Sequence, residues 1–220
     1  MGETEEYHHN RLKRIDYRYR LNRRHLEIKK TISMFLKDYS QLRCLDIGTA
    51  DGLMLSELNK NFKFKEAIGI DISKELIRVN NDRKIELKIG DAEHLGFENN
   101  LFDIIISSAV IEHLSYPEKM LSECHRILKK GGVLIVVTPN PFHNKIAEIF
   151  GYLYSGVHIH TFNISRLHNL FKESGFEVLY CKEFMLFPFF RIPLEESIEI
   201  FFRYMMLGRL MCNQLIAGKK

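Results

Sequence analysis

The stretch Leu42-Arg43-Cys44-Leu45-Asp46-Ile47-Gly48-Thr49-Ala50-Asp51-Gly52 decides the fold. It begins as a short apolar run typical of a strand and ends in small residues. Leucines with helical spacing follow, so the sequence predicts a strand, a tight turn and the start of a helix. Gly48 and Gly52 allow backbone angles that other residues avoid, and the first amide groups of the helix point at the turn. These features predict a turn that approaches a nucleotide-like ligand.

The glycine spacing argues against a dinucleotide. The pyrophosphate fingerprint is G-x-G-x-x-G, in which the third glycine permits close packing of helix on strand. Counted from Gly48, the chain has Ala50 and then Leu53 at the other two glycine positions. A nicotinamide oxidoreductase is therefore disfavoured.

Four further strands are predicted along the chain. Residues 67–71 form a short apolar run that ends in Asp71, and residues 85–89 alternate apolar with polar. Residues 102–108 are almost continuously apolar, which is typical of a central parallel strand buried on both faces. A helix is expected to begin at Pro117, and another strand follows it at residues 133–137. Strands separated by helices in this way predict an α/β fold with a parallel sheet.

Several motifs occur in one order at consistent intervals. The first is the D-x-G-x-A-x-G pattern from Asp46 to Gly52. It resembles the first motif of the class I S-adenosylmethionine-dependent methyltransferases, which usually carry glycine where Ala50 stands. With the later segments 91–95, 112–114, 126–132 and 138–140, residues 42 to 140 resemble the small-molecule "type 11" methyltransferases, and a weaker similarity continues to 183. The resemblance implies S-adenosylmethionine as cofactor and S-adenosylhomocysteine as product.

Two acids are the main candidate cofactor ligands. Asp71 follows Gly52 by 19 residues, close to the interval of about 20 at which an acid meets a ribose. Its carboxylate can accept hydrogen bonds from both vicinal hydroxyls, and Ser73 is the better cap for the next helix. By resemblance, Asp91 and the Ala92 amide would read adenine. The complete predicted cofactor set is Asp46, Gly48, Thr49, Ala50, Gly52, Asp71, Ile72, Asp91, Ala92, Ser107 and Ser108, the two serines lying near the methionine end.

Three histidines are candidate bases or acceptor-orienting residues. A base is required only if the acceptor arrives protonated. His113 follows the fourth strand at the edge where open α/β sheets bind ligands, and a structural role is equally open. His158 and His160 would face one side of an extended segment. No metal is expected, because no carboxylate has ligand spacing and Ala109 stands where metal-using relatives carry a further acid.

Composition and charge limit the class of protein to which the chain can belong. A hydrophobic fraction of 45% and a charged fraction of 27% are typical of a soluble globular protein. The N-terminus predicts no secretory signal, and the four cysteines lie far apart, which predicts a cytoplasmic location.

Nine Lys or Arg residues lie between Arg11 and Lys30. A solvated amphipathic helix is favoured there over a nucleic-acid or membrane-binding helix. By resemblance, Tyr17, Tyr19 or a nearby arginine would contact the cofactor.

The C-terminal tail is unusual because residues 184–193 are apolar and aromatic with two prolines. A helix is predicted from Leu194 to Ile216. Three interpretations stay open for the tail: packing against the sheet edge, formation of a homodimer, or a lid for an apolar acceptor at a membrane surface.

The sequence therefore predicts a three-layer, Rossmann-like methyltransferase fold with a mostly parallel central sheet. Residues 1–40 would form an N-terminal helical cap, 41–183 the cofactor-binding domain, and 184–220 a hydrophobic C-terminal extension packed on the same domain. The predicted function is methyl transfer to a small-molecule acceptor, which could be lipid-linked or glycan-linked. The alternatives are a non-enzymatic binding protein of the same fold and a nucleic-acid methyltransferase.

Overall fold

The computed structural model describes residues 13–80, 82–142 and 159–220. Within these residues the strands are β1 (Arg43–Ile47), β2 (Glu66–Asp71), β3 (Glu86–Ile89), β4 (Phe102–Ser108), β5 (Leu128–Pro139), β6 (Glu177–Phe184) and β7 (Asn213–Lys219). The α-helices are α1 (Ile15–Phe35), α2 (Leu53–Phe62), α3 (Lys74–Val79), α4 (Pro117–Ile127), α5 (Ile164–Glu173) and α6 (Glu195–Tyr204). None of the helices described is long and apolar enough to cross a membrane.

All seven strands form one sheet in the order β3-β2-β1-β4-β5-β7-β6. The first five are parallel, whereas β7 runs antiparallel to both β5 and β6. The strand order reverses at β1 and β4, where open α/β sheets form a ligand-binding crevice at their carboxyl ends. The predicted three-layer, Rossmann-like fold with a mostly parallel sheet is confirmed.

Hydrophobic cores cover both faces of the sheet. Strand β4 contributes side chains to both cores. Ile105 belongs to one cluster, with Leu121 of α4 and Phe171 of α5. Ile104 and Ile106 belong to the other cluster, which includes residues of α1 and α2. Successive side chains of a strand point to opposite faces, so a strand covered on both sides is apolar at nearly every position.

The predicted C-terminal helix is wrong over half its length. Helix α6 ends at Tyr204, and residues 213–219 form β7 inside the sheet. Ile216 pairs with Val136 of β5 on one side and with Cys181 of β6 on the other. The predicted extension at 184–220 therefore contains a strand of the central sheet. Its apolar run is a fully buried strand, which periodicity alone does not distinguish from a buried helix.

A buried ionic cluster joins α1 to the chain's C-terminal part. The Arg23 guanidinium donates to Glu27 Oε1 at 2.8 Å and to both Glu199 oxygens at 2.8 and 3.0 Å. Glu195 lies 3.7 Å from Arg23 Nε, and the Tyr19 hydroxyl donates to it. Arg23, Glu27, Glu195 and Glu199 are each at most 5% exposed. The N-terminal helix is thus held in place by charge pairs that water scarcely screens.

Candidate functional site

The turn after β1 is held by backbone hydrogen bonds to β2. The amides of Gly48 and Thr49 both donate to the Ile70 carbonyl, at 2.8 and 3.0 Å. The Ala50 amide donates to Asp71 Oδ2 at 2.8 Å. Asp71, at the end of β2, therefore fixes the turn as well as facing the site.

Position 48 requires glycine for two reasons: the conformation of its backbone and the closeness of Val110. Its φ is +71°, in the left-handed region that favours glycine. A Cβ atom built there would lie 2.1 Å from Cγ2 of Val110, which follows β4. The turn and the loop after β4 thus approach each other more closely than any side chain would permit. Ala50 also has a positive φ, of 54°, although it carries a Cβ.

Asp46 lies fully buried beneath this turn. Its Oδ2 accepts a hydrogen bond from Thr49 Oγ1 at 2.8 Å, whereas its Oδ1 has no hydrogen-bond partner among the described residues. Burial, with a further contribution from the Asp71 charge, raises the pKa of Asp46 to about 7. An unsatisfied buried carboxylate oxygen is costly, so a polar donor arriving at this oxygen would be stabilising.

A cavity of about 490 Å³ opens at the carboxyl ends of β1, β2, β3 and β4. Its walls come from α1, from the turn after β1, and from the segments that follow β2, β3 and β4. The lining residues are Tyr17, Arg20, Leu21, Arg24, Ile47, Gly48, Thr49, Ala50, Asp51, Leu53, Met54, Ile70, Asp71, Ile72, Leu76, Gly90, Asp91, Ala92, Ser108, Ala109, Val110, His113 and Leu114. Most of the predicted cofactor set is therefore brought together at one cavity.

The two predicted acidic ligands both line the cavity with their conformations fixed. Asp71 Oδ1 accepts from the Ser73 amide at 2.9 Å, and Ser73 caps α3 as predicted. Asp91 Oδ1 accepts from the Glu93 amide at 2.8 Å, and this bond lowers the pKa of Asp91. Each carboxylate oxygen keeps a lone pair that can accept a second hydrogen bond.

Three predicted cofactor residues do not reach the cavity. Ser107 is 1% exposed and its hydroxyl contacts Met120 Sδ at 3.9 Å, so only Ser108 of the serine pair faces the site. Alternation along β4 sends the two side chains to opposite faces. Asp46 lies beneath the turn, and Gly52 closes it through a hydrogen bond to the Thr49 carbonyl.

Of the two candidate bases among the described residues, His113 lines the cavity and His160 does not. His113 lines the cavity, and its Nε2 lies 4.0 Å from Oε1 of the buried Glu112. Glu112 Oε2 accepts from the Thr138 hydroxyl at 2.9 Å. His160 is not a lining residue, and its Nε2 lies 3.4 Å from the Ser115 carbonyl. The prediction for His158 lies outside the described residues.

Helix α1 adds side chains to the site that the motifs alone did not indicate. Tyr17, Arg20 and Arg24 line the cavity, and Arg24 Nε also donates to Asn213 Oδ1 at 3.1 Å. Tyr19, the other predicted tyrosine, instead bonds to Glu195. Of the residues expected at the cofactor, namely Tyr17, Tyr19 or a nearby arginine, the structure brings Tyr17, Arg20 and Arg24 to the cavity and not Tyr19.

The family model for the methyltransferase domain matches residues 17–180 of the chain. That span includes every strand and helix bordering the cavity. The chain belongs to the class I S-adenosylmethionine-dependent methyltransferases. The resemblance inferred from the motifs is confirmed.

Relatives of this methyltransferase extend the comparison. A demethylmenaquinone methyltransferase from Thermotoga maritima is 26% identical over 210 residues, covering 81% of this chain and 92% of the relative. The mouse mitochondrial ubiquinone biosynthesis O-methyltransferase is 30% identical over 114 residues, covering 47% of this chain and 30% of the relative. An uncharacterized Methanocaldococcus jannaschii protein, MJ1123, is 34% identical over 108 residues, covering 49% of this chain and 50% of the relative. The matched segment thus spans half or less of several curated relatives.

Solved structures share the fold of this methyltransferase. A Haloferax volcanii protein solved in complex with the methyltransferase activator Trm112 has a TM-score of 0.68 at 18% identity, covering 90% of this chain and 91% of its own. An Archaeoglobus fulgidus SAM-dependent methyltransferase has a TM-score of 0.64 at 20% identity, covering 89% and 94%.

No group of three or more His, Cys, Asp or Glu side chains that could hold a metal occurs among the described residues. Glu112 and His113 have Ala109 ahead of them, with a positive φ of 59°. The Thr138 hydroxyl and the His113 ring lie beside the Glu112 carboxylate, at 2.9 and 4.0 Å.

Proposed function

We propose that this chain transfers the sulfonium methyl group of S-adenosylmethionine to a small-molecule acceptor. One observation carries the proposal: the glycine turn after β1, Asp71 after β2 and Asp91 after β3 line a single cavity. An adenosine needs a carboxylate for its vicinal hydroxyls, a polar group for its base and an open approach to the main chain. The residues present fit that group.

The chain's own residues would bind and orient the reactants. Asp71 would accept hydrogen bonds from the ribose, while Asp91 and the Ala92 amide would bind adenine. Ser108 and the Gly48 turn would lie toward the methionine end, above the unsatisfied Asp46 oxygen. When bound, S-adenosylmethionine supplies an electrophilic methyl group that already has its leaving group, so alignment and exclusion of water can supply most of the rate.

His113 is the proposed proton acceptor for an acceptor hydroxyl. It faces the cavity, and Oε1 of the buried Glu112 lies 4.0 Å from its Nε2. A base at this position would take the proton as the oxygen attacks the methyl carbon. We keep His160 as an acceptor-orienting candidate, because its amide and that of Ile159 donate to the Glu112 carbonyl at 3.0 and 2.9 Å.

A small acceptor is favoured over nucleic acid because the basic side chains of α1 have internal partners. Arg23 binds Glu27 and Glu199, Arg24 binds Asn213, and Lys30 binds Glu196 at 2.8 Å. Charges engaged in this way contribute little to phosphate binding.

Relatives named for quinone biosynthesis make a lipid-like phenolic acceptor the first to test. The proposal includes a cytoplasmic location, consistent with the unpaired cysteines.

Methyl transfer is tested with S-adenosylmethionine labelled in its methyl group. Phenols, carboxylic acids and amines, with and without apolar chains, are incubated with the protein, and labelled product and S-adenosylhomocysteine are measured together. The two should appear in equal amounts with one acceptor class. His113→Gln should lower transfer to a hydroxyl at least about a hundredfold, whereas His168→Gln, on α5, should not. Binding of the donor without transfer to any class would favour the binding-only alternative.

A further inference from the structure

Two of the three acidic side chains of helix α6 are turned inward. Glu195 and Glu199, four residues apart, lie on one face of the helix, and both are buried. Their carboxylates bind Tyr19 and Arg23 of α1, and Glu199 Oε1 also accepts from the Met185 amide at 2.7 Å. The charged face of this amphipathic helix is thus its inner face.

The outer face of α6 is apolar and exposed. Ile200, Phe201 and Tyr204 lie opposite the two acids, and Tyr204 is 84% exposed. Met206, directly after the helix, is 89% exposed. This is the reverse of the pattern expected of a helix that faces water, which turns its apolar stripe to the core.

The segment before α6 continues the same apolar character. Phe187 and Phe190 are exposed and their rings stack at a centroid distance of 6.4 Å. Leu194, at the start of the helix, is 77% exposed. Together these residues form what we call the tail surface: Phe187, Phe190, Leu194, Phe201, Tyr204 and Met206.

Two exposed arginines lie in the segment that carries the tail surface, Arg191 before α6 and Arg209 after it. Of the three acids between β6 and β7, Glu195 and Glu199 are buried against Arg23. The third, Glu196, is about half exposed and pairs with Lys30 at 2.8 Å. The segment therefore presents arginines and apolar rings outward, and each of its three carboxylates has a cationic partner.

We propose that the tail surface docks on an anionic membrane surface. Aromatic, Leu and Met side chains beside arginines fit the boundary between anionic headgroups and acyl chains. A second copy of the chain fits less well, because a two-fold contact through this surface would bring the arginines of both copies together. Charge complementarity therefore selects an anionic bilayer over a homodimer.

Helix α1 connects the tail surface with the cavity. Tyr19 and Arg23 contact α6, while Tyr17, Arg20 and Arg24 line the cavity. Docking would bring the cavity to the lipid boundary and would suit an acceptor that carries an apolar chain. That consequence rests on the proposed methyl transfer, whereas the docking itself does not.

Vesicle flotation tests the docking. The whole chain is mixed with vesicles of phosphatidylcholine alone or of phosphatidylcholine and phosphatidylglycerol in equal parts. Binding is expected to the anionic vesicles and to weaken with salt. The variant Phe201→Ser/Tyr204→Ser/Met206→Ser should lose at least about tenfold in affinity. Arg191→Gln/Arg209→Gln should lose about tenfold on anionic vesicles only.

The matched control is Val79→Ser/Ile89→Ser, which removes exposed apolar side chains near β3 at the far edge of the sheet. It should bind vesicles as the unaltered protein does. Circular dichroism and thermal melting establish that every variant is folded. Vesicle binding is measured without cofactor, so its outcome does not depend on the proposed methyl transfer.

Three results would overturn the proposal. The first is failure of the unaltered protein to bind anionic vesicles, and the second is equal binding by the triple serine variant. The third is a dimer, detected by light scattering, that the triple serine substitution dissociates while neither protein binds vesicles, because a second copy would then occupy the tail surface.

Discussion

Gly48 is the residue on which the geometry of the site depends most directly. Its positive φ and its contact with Val110 both exclude a Cβ atom. Gly48→Ala should lower the free energy of unfolding by about 2 kcal/mol or more, since strain and overpacking add. The matched control is Gly96→Ala, because a Cβ there would meet no atom within 4 Å. Urea unfolding of both variants measures the difference, and equal losses would refute this role of Gly48.

Asp46 should make the stability of the unliganded protein depend on pH. Burial raises its pKa from 3.8 to about 7, so between these values the folded state holds a proton that the unfolded chain has released. The free energy of unfolding due to this group is therefore largest below about pH 4 and falls as pH rises to about 7. The whole shift corresponds to about 4 kcal/mol, at about 1.4 kcal/mol per pKa unit.

Asp46→Asn should remove that pH dependence, because the amide does not titrate. Chemical unfolding at about pH 5 and about pH 8 measures it, with Asp82→Asn, at a partly exposed position, as control. If the free energy of unfolding of Asp46→Asn still falls by the full amount between about pH 5 and about pH 8, another group is responsible for the pH dependence.

At the residue scale, the sequence indicated Asp71 by its interval of 19 residues from Gly52, and the family resemblance indicated Asp91. The Ser107 side chain does not line the cavity, and the motif could not show this because it does not specify which face of β4 each serine occupies. The alternation of β4 indicates the face, because Ile104 and Ile106 lie on the face opposite Ile105. Which arginines of α1 reach the cavity could not be foreseen, since their positions depend on how α1 packs.

At the element scale, Arg23 is the central cation of the buried cluster that joins α1 to α6. Arg23→Met would leave Glu195 buried without a cation among its described partners, and would leave Glu27 with Lys182 and Glu199 with the more distant Arg203. Removing one partner of such a buried group should cost about 3–5 kcal/mol. The control is Lys30→Met, whose partner Glu196 is half exposed, and its cost should stay below about 1 kcal/mol. Urea unfolding compares the two, and equal costs would contradict the importance of burial.

Local elements were predicted better than distant pairings. The strand, turn and helix from Leu42 onward follow from adjacent residues, and β1 and α2 appear there. Strand β7 was predicted as a helix because Leu215, Ile216 and Ala217 lack alternation. Its partners lie 74 to 86 residues away on β5 and 29 to 42 residues away on β6, and these pairings make the segment a strand. Such non-local pairing leaves little signal in a short apolar run.

At the scale of the whole molecule, the parallel half of the sheet forms the site and the antiparallel half carries the tail. Strands β1 to β4 end at the cavity, whereas β6 and β7 enclose α6 between them in sequence. Helix α1 touches both parts, because its Tyr17, Arg20 and Arg24 line the cavity and its Arg23 contacts α6. Order and spacing of motifs predicted the first part, but no motif in the sequence described the second.

Calorimetric titration of the purified protein is the most direct measurement of cofactor binding. S-adenosylmethionine and S-adenosylhomocysteine should bind one site per chain, whereas NADH should not bind. Asp71→Ala should weaken binding about 10- to 100-fold through loss of charge-assisted hydrogen bonds, and Glu86→Ala, at the opposite end of β3, should leave it unchanged. Binding of NADH without either adenosyl compound, or full affinity in Asp71→Ala, would contradict the assignment of the cavity.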